Sequence, residues 1–119
     1  MNNKMRMYIG PYLNKDGTNR EYEFYPEALG KGWEPILSQL YDDLVALGWD
    51  RHLYQYKEKF GGLRFYIGHG TTPIFERISC AEELSMRTCM ECGKPGKRRG
   101  NGWILCLCDE HSNEELGIY

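Results

Sequence analysis

Apolar and polar positions alternate along the chain in two distinct periods. Met5, Met7 and Ile9 alternate with Arg6 and Tyr8, and Tyr22 and Phe24 alternate with Glu21 and Glu23. That period of two predicts a pair of short strands within Lys4–Phe24, joined through the turn-forming run Asn14–Asn19. Gly10-Pro11 limits how far the first strand can run. The pattern then changes to a helical one. Trp33, Ile36, Leu37, Leu40, Leu44 and Leu47 form a stripe opposed by Gln39, Asp42 and Asp43, with Pro35 suited to the first turn and Gly48 to the end. A second helix is expected from Pro73 to Arg87, capped by Thr72, with Ile74, Ile78, Ala81 and Ser85 facing inward.

Between the helices lies Leu53–Ile67, two alternating runs separated by Gly61-Gly62. Tandem glycines supply the positive φ angles of a two-residue hairpin loop, which would pair Phe60 with Leu63, Lys59 with Arg64, Glu58 with Phe65 and Lys57 with Tyr66. One face then carries Tyr54, Tyr56, Phe60, Leu63, Phe65 and Ile67 with Glu58 among them. The other carries Gln55, Lys57, Lys59, Arg64 and Tyr66. The pattern predicts an α+β fold, a small antiparallel sheet packed by two helices. Residues 1–87 form the core, and residues 88–119 form a C-terminal segment packed on it as one cooperative unit.

That segment holds most of the cysteine. Of the five (Cys80, Cys89, Cys92, Cys106 and Cys108), four fall within twenty residues, and the odd total is a poor disulfide framework. Cys89-x-x-Cys92-Gly93 suits a tight knuckle, the stretch from Trp103 to Leu107 reads as a strand, and Cys108-x-x-His111 suits the first turn of a short terminal helix. A knuckle, a hairpin and two ligands at a helix start resemble a treble clef. We expect Cys89, Cys92, Cys108 and His111 to hold a structural zinc ion with no open coordination position. Cys106 competes with Cys108 for the third thiolate.

Composition narrows the rest. A chain of 119 residues with 41% hydrophobic and 13% aromatic side chains can build one ordinary core and is not disordered by composition. The net charge of -2 excludes a globally basic, nucleic-acid-coating protein, no apolar run approaches a membrane span, and the polar start is no secretion signal, so a cytoplasmic protein is expected. Charge is nevertheless uneven: residues 51–104 carry 10 basic and 5 acidic side chains, a net of +5. Lys57, Lys59, Arg64 and Tyr66 on one hairpin face, and Lys94, Lys97, Arg98 and Arg99 in the glycine-rich zinc segment, are the candidate residues for an anionic ligand. Glycines 93, 96, 100 and 102 would let backbone amides approach it. Catalytic constellations are thin. Glu58 on an apolar face and His69 in a glycine-flanked loop are the two candidates, and a structural role fits each better.

The block Lys57-Glu-Lys-Phe-Gly-Gly-Leu-Arg-Phe-Tyr66, preceded by Gly32-Trp33 and a leucine-rich helix and followed by the cysteine segment, resembles a group of short phage and prophage proteins over about residues 30–111. The resemblance implies a mobile-element origin and a bacterial host cytoplasm, and it implies no particular activity. Three functions follow as expectations. The first is non-enzymatic binding of an anionic ligand, a nucleotide messenger or a nucleic acid, one version being sequestration of a host defence signal. The second is an inhibitor or adaptor engaging a host protein through Tyr8, Tyr12, Tyr22 or Tyr25. The third is a small enzyme using Glu58 or His69.

Overall fold

A computed structural model describes residues 5–100 and 102–112; within them the side chains of residues 9–12 and 19, and so those of Ile9 and Tyr12, lie outside the description. The fold is α+β, as the patterning predicts, but its strands form three separate two-stranded antiparallel ribbons. They are β1 (Met5–Leu13) with β2 (Asn19–Phe24), β3 (Leu53–Lys59) with β4 (Gly62–Ile67), and β5 (Lys97–Arg99) with β6 (Leu105–Leu107). Helix α1 (Glu34–Ala46) follows two short 3-10 turns, and α2 (Thr72–Ser85) follows β4. Strand β1 continues through Gly10-Pro11, where the pairing register breaks between Tyr8 and Leu13 instead of the strand ending. Proline lacks a ladder donor but is tolerated at such irregularities.

Helix α1 buries Ile36, Leu37, Leu40, Tyr41 and Leu44, the expected stripe with Tyr41 added, while Leu47 is left exposed beyond its end. Helix α2 buries the four residues its pattern indicates, and its N-cap is Thr71, one residue before the expected Thr72. Between the helices and the hairpins runs a chain of rings. Phe24 stacks on Tyr41 at 5.6 Å and meets Tyr56 edge-on at 5.0 Å, and Trp49 lies 5.9 Å from Phe65. The Tyr41 hydroxyl donates to the Arg6 carbonyl (2.5 Å) and accepts the Arg6 amide (3.0 Å), fastening β1 to α1.

The β3–β4 loop is Phe60-Gly61, one residue earlier than the tandem glycines suggest. Both residues have positive φ, 54° and 78°, as a type I′ turn requires. Lys59 therefore faces Gly62, Glu58 faces Leu63, and Lys57 faces Arg64. Moving the loop by one residue moves each partner by two, so the faces survive while the neighbours change. Two residues leave the buried face: Phe60 joins the turn, and Tyr54 is pushed outward where the register slips between Leu53 and Gln55, with Leu53 buried in its place.

The outer edge of β4 is closed by side chains of α2. The Ser85 hydroxyl accepts the Leu63 amide at 2.8 Å and donates to the Glu82 carbonyl, and the Glu82 carboxylate accepts the Phe65 amide at 3.1 Å. Ser85 is fully buried. Replacing Ser85 by Ala leaves the Leu63 N–H buried without a partner, and chemical denaturation is expected to show a loss of about 1–3 kcal/mol.

Candidate metal centre and basic face

The cysteine segment docks on the turn that precedes α1. The Gly32 amide donates to the Met90 carbonyl (2.9 Å), and the Trp33 indole donates to the Thr88 carbonyl (2.8 Å). Within the segment, Gly93 at φ 82° reverses the chain after Cys92. Its amide bonds the Cys89 carbonyl at 2.8 Å, and the Cys89 amide bonds the Lys94 carbonyl at 2.8 Å. This closes the knuckle. At the far end the amides of His111 and Ser112 both bond the Cys108 carbonyl (3.2 and 3.0 Å), a single helical turn that sets Cys108 and His111 on one face. The expected continuation into a terminal helix falls outside the described residues.

These two devices bring Cys89, Cys92, Cys108 and His111 together, with their ligand atoms all within 4.8 Å of one another. The Cys92 and Cys108 sulfurs are 3.7 Å apart, and His111 Nδ1 lies 3.2 Å from the Cys108 sulfur and 3.7 Å from that of Cys89. A tetrahedron with metal–sulfur bonds of about 2.3 Å and metal–nitrogen bonds of about 2.0–2.1 Å has edges of about 3.8 and 3.6 Å. The cluster fits that shape, so the four residues could hold a metal ion. Burial opposes a thiolate at Cys108, yet hydrogen bonds with the His111 ring and amide and with Cys92 and Cys89 bring its thiol down to about 6. The ring of His111 is in turn held more basic by its bond to Cys108.

Cys106 is excluded from the cluster. It is fully buried in the main core, its carbonyl accepts the Met90 amide (3.0 Å), and burial pushes its thiol up. Alternation along β6 explains the choice, since side chains two apart on a strand share a face but Cys108 lies just past the strand end, where the chain turns.

The second basic cluster is not a uniform anion platform. Arg99, with a side chain 7% exposed, donates to the Leu107 carbonyl (3.0 Å) and to the Asp109 carboxylate (2.6 Å). It braces the strand end and turn that carry Cys108 and His111 and holds the Asp109 carboxyl below its ordinary range. Lys94 lies 3.6 Å from Glu110. Lys97 and Arg98 remain exposed. The glycines also have structural duties: a Cβ on Gly96 would lie 2.9 Å from the Cys89 nitrogen and 3.0 Å from the Leu107 carbonyl carbon, so that residue serves close packing of the knuckle.

The hairpin face keeps its expected membership. Lys57 and Arg64 stand directly opposite each other, Lys59 is two residues along, and Lys57 Nζ lies 6.0 Å from the centre of the Tyr66 ring. Among the described residues none of the three cations forms an ion pair. Glu58 accepts the Gly61 amide at 2.7 Å and so stabilises the hairpin turn, a structural use of the carboxylate. His69 sits in an exposed loop. Of the tyrosines expected at a protein interface, Tyr25 is half exposed, while Tyr22 packs on the core and Tyr8 accepts a hydrogen bond from Arg51 (2.9 Å).

Sequence reasoning overlooked two features. Trp103 belongs to the β5–β6 loop, with Gly102 at φ 93°, and not to the strand. His52 bonds Asp50 through its amide (2.9 Å) and lies within 3.2 Å of the other carboxylate oxygen through Nδ1, with the Tyr8 ring 5.2 Å away. An Asp-x-His pattern at a strand start was the available signal. Together with the bond from the Tyr8 amide to the Arg51 carbonyl (2.6 Å), this group ties β1 to β3. Among the described residues no helix is long and apolar enough to cross a membrane. Comparison of the chain with protein-family models, with curated proteins and with solved structures finds no match in any of the three.

Proposed function

We propose that this is a non-enzymatic zinc-stabilised protein that binds an anionic ligand of nucleotide type on the outer face of the β3–β4 hairpin. The observation that carries the reading is the register. Lys57 and Arg64 are cross-strand partners of like charge, an arrangement that costs stability in a hairpin unless an anion lies between them. Arg64 offers a planar fork for phosphate and Lys57 and Lys59 offer point charges, while Tyr66 supplies a ring beside them.

The metal site has a structural part in this reading. Three thiolates and one imidazole in tetrahedral array favour zinc, and four protein ligands close the coordination sphere, so the ion orders the chain and leaves chemistry to no vacant position. The resemblance to phage and prophage proteins supports placing the activity in a bacterial cytoplasm, where capture of a nucleotide signal of host defence is one form it takes.

The test is equilibrium binding of three anionic probes, ATP, a cyclic dinucleotide and a single-stranded 12-mer of deoxythymidine, at low salt. At least one is expected to bind saturably, and Lys57→Thr and Arg64→Thr are each expected to weaken it about tenfold, in line with loss of one charge-assisted contact. Each variant should melt at the same temperature as the parent or slightly above, because the like-charge opposition is gone. Lack of binding to all three probes, or binding indifferent to both substitutions, overturns the reading.

A further inference from the structure

The rim of this basic face carries a feature that a small anion does not need. Phe60 and Trp103 are 57% and 77% exposed, and they flank a cleft of about 170 Å³ lined also by Glu58, Lys59, Gly102 and Ile104. The hairpin turn leans on the β5–β6 ribbon here: a Cβ on Gly61 would lie 2.9 Å from Arg98 Cγ and 3.2 Å from Ile104 Cγ2. Lys59 belongs to both surfaces, on the strand face with Lys57 and Arg64 and with its Nζ 5.7 Å from the centre of the Phe60 ring.

Phe60 is also in the wrong conformation for its residue type. Its φ of 54° is the left-handed region, at the first loop position of a type I′ turn where Asn or Gly is preferred. A bulky side chain there is strained, and more than half of its surface stays in water. A strained, half-exposed ring at a cleft mouth is a feature that a binding site accounts for.

We infer that the Phe60/Trp103 cleft and the Lys57–Lys59–Arg64 face together form a binding surface for single-stranded nucleic acid, bases stacking on the rings and phosphates lying along the cations. The inference rests on the anion-binding reading above and deepens it. Glu58 in the cleft wall repels phosphate, which assigns the cleft to an uncharged base and leaves the backbone to the cationic row. Tyr66, 41% exposed, is a third platform at the far side of that row. Three rings and three cations exceed what one mononucleotide can engage, and stacking tolerates any base because every base has a π face.

The test uses the intact, metal-loaded protein with labelled single-stranded 12-mers of deoxythymidine and of uridine, a 12-base-pair duplex, and ATP. At least one single strand is expected to bind ten times or more tighter than both the duplex and ATP. Its log K should fall with log salt at a slope of about -2, as three phosphate contacts require. Trp103→Ala is expected to weaken it by between about 5-fold and 150-fold. Phe60→Asn should do the same while melting at an equal or higher temperature, since Asn suits the turn; this variant removes misfolding as an explanation. Binding of ATP or a cyclic dinucleotide without preference for a single strand overturns the inference and leaves the anion reading intact. So does single-strand binding that survives both aromatic substitutions. Lack of binding to every anionic probe overturns both.

Discussion

Treatment with a strong chelator at neutral pH is expected to strip the proposed zinc ion and unfold residues 88–112. The segment has a small cluster of its own, made of Cys89, Leu107 and Cys108, with Met90 and Leu105 packed against it. Burial on that scale cannot order a stretch of this length against a conformational cost of about 1–2 kcal/mol per residue. A structural zinc ion supplies on the order of 10 kcal/mol or more. Trp33 reports the event directly, because its indole donates to the Thr88 carbonyl where the segment begins. Chelation should therefore shift tryptophan emission to the red, expose the buried Cys89, Cys106 and Cys108 to thiol reagents and free the already exposed Cys92 to react, and stoichiometric zinc should reverse these changes. An unchanged spectrum under complete chelation would show that the segment folds without a metal. The same experiment separates the ligands. Native mass spectrometry should find one ion on Cys106→Ala, whose sulfur lies in the apolar core, and none on Cys108→Ala or His111→Ala.

Gly32→Ala is the single substitution expected to do most damage outside the ligands. A Cβ at that position would lie 2.0 Å from the Cys89 carbonyl oxygen, 2.5 Å from the Gly93 nitrogen and 2.8 Å from the Cys92 nitrogen. All three are backbone atoms of the knuckle, so no rotamer change can relieve the clash. Either the turn before α1 withdraws and takes fully buried Trp33 with it, or the knuckle deforms and parts the sulfurs. Denaturant midpoints should register a loss on the order of 3 kcal/mol or more, together with weaker metal retention in a competition titration. Gly17→Ala is the control. Its φ is 87° but nothing lies within 4 Å of the added methyl, so the cost is the backbone term alone, about 1 kcal/mol, with metal affinity unchanged. Equal effects of the two would mean that the packing of Gly32 on the knuckle is unimportant.

What could be seen in the sequence was whatever depends on local spacing. The inward stripe of α2, the sidedness of the β3–β4 hairpin and the paired ligand motifs all follow from periods of two, three or four residues, and the structure has them. What could not be seen depends on contacts between distant segments or on choices that local chemistry leaves open. Gly61-Gly62 is compatible with a loop of residues 60–61 or of residues 61–62, and contacts with distant segments accompany the observed one: Arg98 and Ile104 pack on the turn, and Ser85 and Glu82 take the Leu63 and Phe65 amides. Arg99 reads as one more cation in a basic run; its bond to Asp109 exists because β5 and β6 pair. The step between Leu53 and Gln55 that turns Tyr54 outward has no signature in the residues themselves.

The rim of the central hairpin carries a consequence of its own. Strand β4 gives the outward amides of Leu63 and Phe65 to Ser85 and Glu82 and not to another strand. Donors taken up by a hydroxyl and a carboxylate cannot template a neighbouring molecule at those positions. This border of the hairpin is therefore shielded from strand addition at both positions for as long as α2 stays seated.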